Sequence, residues 1–107
     1  MDKKNKIAIV VYTLSSGGLE RVVSNQTFLF SKMGYQVSLF VLENNVAYDF
    51  EAKFYTYDFK KDDSIFSKLM KYKLLKKDIQ QGNFDFVMDH RYRLNGFMEV
   101  FWLKYIY

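Results

Sequence analysis

The chain has 107 residues, of which half are apolar and a fifth aromatic, and a net charge of +4. This length suits one domain with one core, and the apolar share excludes a disordered chain. Without cysteine, neither a disulfide framework nor a thiolate metal site can form. No apolar run reaches the roughly 18 residues of a membrane span and no signal peptide is visible, so we expect a cytoplasmic protein.

The positive charge comes mainly from lysines in the middle of the chain: Lys60, Lys61, Lys68, Lys71, Lys73, Lys76 and Lys77. A solvated helix face is the simplest interpretation. The alternative is peripheral contact with an anionic membrane surface or a lipid phosphate, at the inner face of the membrane. These lysines do not gather on one face at helical spacing, which weighs against the membrane. No motif of a nucleic-acid-binding module appears, so we expect no nucleic-acid partner.

The first strand, loop and helix carry the strongest pattern. The run from Lys6 to Tyr12 is apolar without alternation, as in a strand buried on both faces of a parallel sheet. A loop of small residues follows, and a helix begins near Gly18 or Leu19. Glycines allow a close approach of another group, and the first N–H groups of a helix point at whatever lies above the loop. This geometry suits a phosphate or a sugar, and the residues concerned are Ser15, Ser16, Gly17 and Gly18.

The first helix and the second strand follow from local signals. Apolar residues recur at helical spacing and predict the buried side of this helix: Leu19, Val22, Val23, Phe30 and Met33. Gly34 then has the right position for a left-handed helix C-terminal cap. The second strand is predicted over Tyr35 to Leu42.

The rest of the chain repeats the alternation of strand and helix. Phe54 to Phe59 predicts a short third strand at the sheet edge. A helix is predicted from about Ser64 to Gln81, with Asp62, Asp63 or Ser64 as its N-cap and Gly82 as its end. Phe84 to His90 predicts the fourth strand, and a last helix runs from roughly Leu94 to the end.

Alternating strands and helices imply parallel strands joined by right-handed crossovers. We therefore expect an α/β fold with one domain over 1–107, a Rossmann-like half-domain with strand order 3-2-1-4 and helices on both faces. Ligands of such sheets bind beyond the carboxyl ends of the strands, where the order reverses between strands one and four. The loop from Ser15 to Gly18 and the segment from Asp89 to Arg93 both lie there.

The last residues, Gly96 to Tyr107, are apolar on almost every side of the predicted helix. Such a helix needs cover on more than one side, yet no fifth strand follows. The pattern predicts a fragment, or a protomer completed by another chain, and it makes a homo-oligomer plausible. Phe101 and Trp102 are expected to pack in a core or an interdomain contact.

Three landmarks in order resemble the N-terminal domain of family 4 glycosyltransferases of the GT-B fold. These are Gly17-Gly18-Leu19-Glu20-Arg21, then the segment Phe30 to Val37 with Gly34-Tyr35 at its centre, and the strand Phe84 to Met88. Together they cover about Lys6 to Arg93. The resemblance implies a transferase that moves a sugar from a nucleotide-sugar donor to a saccharide or lipid-linked acceptor, in bacterial surface-polysaccharide synthesis.

In that family the N-terminal domain mainly holds the acceptor, and the donor is held by a C-terminal domain. No such domain is contained in these 107 residues, so catalysis by this chain alone is not expected and a missing domain or partner chain is implied. The nucleotide sugar is expected to be a substrate of the full-length enzyme, and no cofactor is expected. The donor, the acceptor and the stereochemical outcome stay open.

The candidate residues each have a functional and a purely structural interpretation. His90, the single histidine, is the candidate catalytic base or ligand of sugar hydroxyls, against a merely hydrogen-bonded loop residue. Arg91 and Arg93 suit acceptor phosphate or carboxylate groups, against solvated charges. Ser15 and Ser16 are hydroxyl donors or helix caps, and Gly17 and Gly18 face a ligand or only form a turn. No metal-ligand set is recognisable.

Two other functions compete with sugar transfer. The first alternative is a non-catalytic Rossmann-like binding module that needs a partner chain. The second is a small flavodoxin-like regulatory domain, which is disfavoured because no serine/threonine-rich phosphate loop of the flavin type is present.

Overall fold

The computed structural model describes residues 5–14, 18–91 and 102–107. Strands and helices alternate along these residues. The elements are β1 (Lys6–Val11), α1 (Gly18–Lys32), β2 (Gln36–Val41), β3 (Lys53–Thr56), α2 (Ile65–Gln81), β4 (Phe86–Asp89) and a terminal π-helical turn (Trp102–Ile106). The predicted last helix falls mostly outside the described residues, and only its final part is seen, as this turn.

The four strands form one parallel sheet in the order β3-β2-β1-β4, which confirms the predicted fold class and strand order. On β1, Ile7 pairs with Val37 of β2 on one side and with Phe86 of β4 on the other. β3 lies at the sheet edge, as predicted, but ends earlier than expected. Asp58 takes a φ of 53°, which breaks the extended backbone, although the Phe59 N–H still donates to the Leu42 carbonyl at 2.9 Å.

β1 is buried on both faces because a different helix packs on each. Ile7, Ile9 and Val11 belong to an aliphatic cluster beneath α1. Ala8 and Val10 belong to a second cluster beneath α2 and the terminal turn. The unbroken apolar run is thus explained, since successive side chains point to opposite faces and both faces are covered.

The predicted buried side of α1 is largely wrong. Of its five residues, Leu19, Val22 and Met33 are 38%, 49% and 60% exposed. Phe30 is partly buried, and only Val23 lies fully within the core. The buried residues of α1 are instead mostly polar: Glu20, Val23, Ser24 and Thr27.

Two buried hydroxyl groups of α1 form hydrogen bonds with backbone groups of a neighbouring segment. Residues 43–52, which connect β2 to β3 and which we call the strap, contain no helix and lie against α1. The Ser24 hydroxyl donates to the Asp49 carbonyl, and the Thr27 hydroxyl accepts from the Glu51 N–H at 2.9 Å. These hydroxyls satisfy backbone groups that a strand ladder would otherwise pair.

The caps predicted from local signals are confirmed. Ser64 caps α2 by accepting a hydrogen bond from the Ser67 N–H at 3.1 Å. Gly82 ends α2, and its N–H donates to the Asp78 carbonyl at 3.1 Å. Gly34, after α1, has a φ of 96°, which is the left-handed conformation that glycine adopts without strain.

Candidate functional site

The strand order reverses between β1 and β4, and the carboxyl ends of these two strands form the candidate site. Val10 of β1 pairs with Asp89, and the His90 N–H donates to the Val10 carbonyl at 2.8 Å. Beyond β1 the chain turns away from β4 and towards the strap, where Leu14 forms a parallel bridge with Val46. This is the switch point of the strand order, where doubly wound sheets have the crevice that binds their ligands.

His90 lies on the α1 side of this crevice and is held by that helix. Its Nε2 lies 3.1 Å from Oε1 of Gln26, which is partly buried. In the neutral tautomer whose Nε2–H donates to this amide oxygen, Nδ1 keeps its lone pair. The imidazole is therefore oriented by a neighbour and still has one nitrogen able to accept a proton or a hydroxyl hydrogen.

Gly18 is the first residue of α1, and a Cβ built there would meet no atom within 4 Å among the described residues. Packing therefore does not require a glycine at this position. Gln26 follows Gly18 by eight residues, which is about 12 Å of helix rise. Gly18 and the residue that contacts His90 therefore lie about two turns apart on the same helix.

Arg91 is buried, with 8% exposure, and its guanidinium is engaged inside the fold. Nη2 and Nε donate to Oδ2 of Asp89 at 2.8 and 3.0 Å, and the guanidinium carbon lies 3.7 Å from the centre of the Trp102 ring. Burial alone would lower the pKa of Arg91, but the hydrogen bonds and the charge of Asp89 outweigh it and leave the pKa raised. The alternative interpretation of Arg91 as a solvated charge is wrong, and its predicted contact with an acceptor anion stays a prediction.

The carboxylate of Asp89 also accepts a hydrogen bond from Tyr107. The Tyr107 hydroxyl donates to Oδ2 of Asp89 at 2.9 Å. Burial, and then the negative charge of Asp89, raise the pKa of the Tyr107 phenol, so it stays a donor at neutral pH. Trp102 is 1% exposed, in agreement with its predicted core role. An acceptor anion could reach Arg91 only by competing with Asp89.

Several predicted site residues lie outside the described residues: Ser15, Ser16, Gly17 and Arg93. Of the remaining three, the structure places His90 and Gly18 along α1, while Arg91 turns to the opposite face of the sheet, towards the terminal turn.

Sequence reasoning missed Gln26 and the pairing of Asp89 with Arg91. The only available signal for the pair was an acid at the end of a strand with a base two residues later. Gln26 gave no signal, since its role depends on the packing of α1 beside β4.

A small cavity of about 140 Å³ lies at the same edge of the sheet, on the α2 side. Tyr12 and Glu43, which follow β1 and β2, line it together with Phe59, Tyr72 and the lysines Lys60 and Lys61.

Among the described residues, no three acidic or histidine side chains are grouped as a metal site would require. Nor does any described helix combine the length and apolar character needed to cross a bilayer. No protein-family model matches the chain, and neither a curated protein nor a solved structure shows significant similarity to it.

Proposed function

We propose that this chain is the acceptor-side part of a sugar transferase. Such an enzyme moves a sugar from a nucleotide-sugar donor to a saccharide or lipid-linked acceptor, at the inner face of a membrane where surface polysaccharides are assembled. The observation that carries the proposal is the position of the single histidine at the switch point between β1 and β4, where its Nε2 contacts Gln26 of α1. The motifs from Gly17 to Arg21 and from Phe84 to Met88 support the same function.

Within this proposal, His90 accepts the proton of an acceptor hydroxyl or positions that hydroxyl by a hydrogen bond. Gly18 leaves room at the start of α1, where the unpaired N–H groups favour a phosphate. Gln26, which contacts His90, lies about 12 Å of helix rise from Gly18, so the acceptor proposed is a sugar joined to a phosphate rather than a single monosaccharide. The nucleotide of the donor is bound by groups outside these 107 residues.

The single histidine makes the proposal testable by NMR, since one imidazole signal reports on the site. We expect N-acetylglucosamine 1-phosphate or glucose 1-phosphate to shift the His90 ring resonances, and UDP-glucose to give little heat in calorimetric titration. Tight binding of UDP-glucose would overturn the assignment of the donor site. The absence of any shift with either sugar phosphate would contradict the acceptor role.

The variant Gly18→Val tests whether Gly18 contacts a ligand or only forms a turn. A side chain at Gly18 meets no described atom, so the melting temperature should be nearly unchanged while binding of the sugar phosphate is lost. Val22→Thr, a surface change on the same helix, is the control and should leave binding intact. Unchanged binding in Gly18→Val would reduce the glycine to a turn residue.

One observation favours the alternative of a binding module completed by a partner chain. The edge strand β4 exposes Phe86 at 57%, and the neighbouring flank of α1 exposes Leu29 and Met33 at 55% and 60%. An apolar edge of this kind is typical of a protein interface. Under this alternative His90 has no role in proton transfer, and Phe86→Ser should abolish the association while His90→Gln leaves it intact.

A further inference from the structure

A second cavity lies away from the candidate site, between α2 and the terminal turn. This groove measures about 520 Å³, within the range of ligand sites. We call it the basic groove and define it by Met70, Lys73, Leu74, Lys76, Lys77 and Tyr105. Its walls are apolar side chains and the aliphatic stems of lysines, and its charges are all positive.

The charges of α2 divide between the two sides of the helix. Asp78, the single acid of α2, accepts a hydrogen bond from the Tyr57 hydroxyl on the sheet side. Lys71 pairs with Asp63, its Nζ lying 2.7 Å from Oδ2. Among the described residues that line the basic groove there is no carboxylate side chain, and Lys76 lies over the Tyr105 ring at 4.0 Å from its centre. The groove therefore attracts an anion.

The outer side of α2 adds a second property. Ile65, Phe66 and Leu69 are 80%, 74% and 58% exposed, on the helix whose second half carries the basic groove. A free phosphate would use the lysines but would gain nothing from these side chains. The helix thus presents positive charges and exposed apolar side chains together along the roughly 25 Å of its 17 residues. An anionic lipid bilayer offers the matching combination of phosphates and acyl chains.

We propose that the outer side of α2 docks on an anionic lipid bilayer, with a lipid phosphate in the basic groove. Lys73 and Lys77, one turn apart, contact the headgroups, and Phe66 and Leu69 enter the acyl boundary. α2 joins the parallel strands β3 and β4, so it runs antiparallel to them and its first turn lies at the carboxyl edge of the sheet. Only the end of the docked surface at Phe66 therefore reaches the sheet edge that carries the candidate site, and the inference does not depend on sugar transfer.

Sedimentation with vesicles tests the docking. The full chain should bind vesicles of phosphatidylcholine containing phosphatidylglycerol, and bind pure phosphatidylcholine weakly. Binding should weaken at high salt, because ions screen exposed charges within about a Debye length. The double variant Lys73→Gln/Lys77→Gln should lose about 25-fold in partitioning, or about fivefold for each lysine.

Lys32→Gln/Lys53→Gln is the matched control, since it removes the same charge from positions outside α2. It should lose far less than the groove variant. An equal loss in both would show attraction to net charge alone and overturn the proposal. Phe66→Trp adds a second measurement, because its fluorescence should shift to the blue on the anionic vesicles while the buried Trp102 contributes a constant background.

Two further outcomes would also overturn docking on a bilayer. One is saturable binding of glycerol 3-phosphate in the groove without vesicle binding, which would identify a free phosphate as the ligand. The other is self-association in analytical ultracentrifugation that Phe66→Ser abolishes, with no binding to vesicles, which would identify a second copy of the chain as the occupant.

Discussion

The two faces of the sheet are packed by different chemistry. Beneath α1 the core is aliphatic, and the helix is fixed by hydroxyl groups that bind the backbone of the strap. Beneath α2 the core is rich in aromatic rings, and the helix is fixed through Leu75, Ile79 and a phenol–carboxylate hydrogen bond. The comparison shows why apolar spacing misplaced the buried side of α1: spacing finds helices that pack on side chains, and α1 packs largely on backbone.

The largest loss should come from breaking the aromatic face. Phe40 is fully buried, stacked on Tyr55 with ring centres 4.6 Å apart and edge-on to Phe84 at 5.7 Å. We expect Phe40→Ala to lower the free energy of unfolding by about 3–5 kcal/mol, measured by urea denaturation. Phe66→Ala, at a ring 74% exposed, is the control and should change it by less than about 0.5 kcal/mol. Similar losses at both positions would contradict the packing described.

On the α1 face, Thr27→Val removes a hydroxyl that donates to Ser24 and accepts from Glu51. The shape is kept, but the Glu51 N–H loses its partner, so we expect a loss of about 1–3 kcal/mol in urea denaturation. Thr56→Val is the matched control. The Thr56 hydroxyl is buried and has no hydrogen bond among the described residues, so its removal should be neutral or slightly stabilising. If the two variants behave alike, hydroxyls do not fix the strap.

On the α2 face the corresponding polar contact is the Tyr57 hydroxyl, which donates to Asp78 at 2.7 Å. Tyr57→Phe should cost roughly 1–2 kcal/mol at neutral pH. Burial, and then the hydrogen bond to Asp78, raise the pKa of Tyr57. Above the ordinary pKa near 10 the unfolded phenol ionises while the folded one stays protonated, so stability falls as pH rises. Tyr57→Phe should therefore flatten the alkaline limb of a plot of melting temperature against pH, and an unchanged slope would refute this.

The smallest effect is expected at the start of α2. The Lys71 ammonium and the Lys60 N–H donate to Asp63 and lower the pKa of its carboxyl group. This contribution to stability is complete above the ordinary pKa near 4 and is lost as pH falls below it. Asp63→Asn should lower the melting temperature slightly at neutral pH and reduce its dependence on pH in acid. Asp62→Asn, at an exposed neighbour, should leave both unchanged.

The parts of the fold that were predictable depend on neighbours in sequence. The strands, the Ser64 cap and the left-handed Gly34 follow from local patterns and are confirmed. The strap was missed because its hydrogen bonds join residues far apart in the chain. For the same reason the sequence indicated His90 at the end of β4 but gave neither its contact with Gln26 nor the burial of Arg91 on Trp102.

The pairing of β4 with β1 has a consequence for folding. β2 and β3 are close in sequence, whereas the hydrogen bond between the Lys6 N–H and the Asp85 carboxylate joins residues 79 positions apart. Closing a longer loop costs more conformational entropy, and distant contacts form slowly. We therefore expect β1, β2 and β3 to assemble first and β4 to add last. Because the candidate site at His90 lies between β1 and β4, it forms only in that final step, and an intermediate without β4 would have a sheet but no such site.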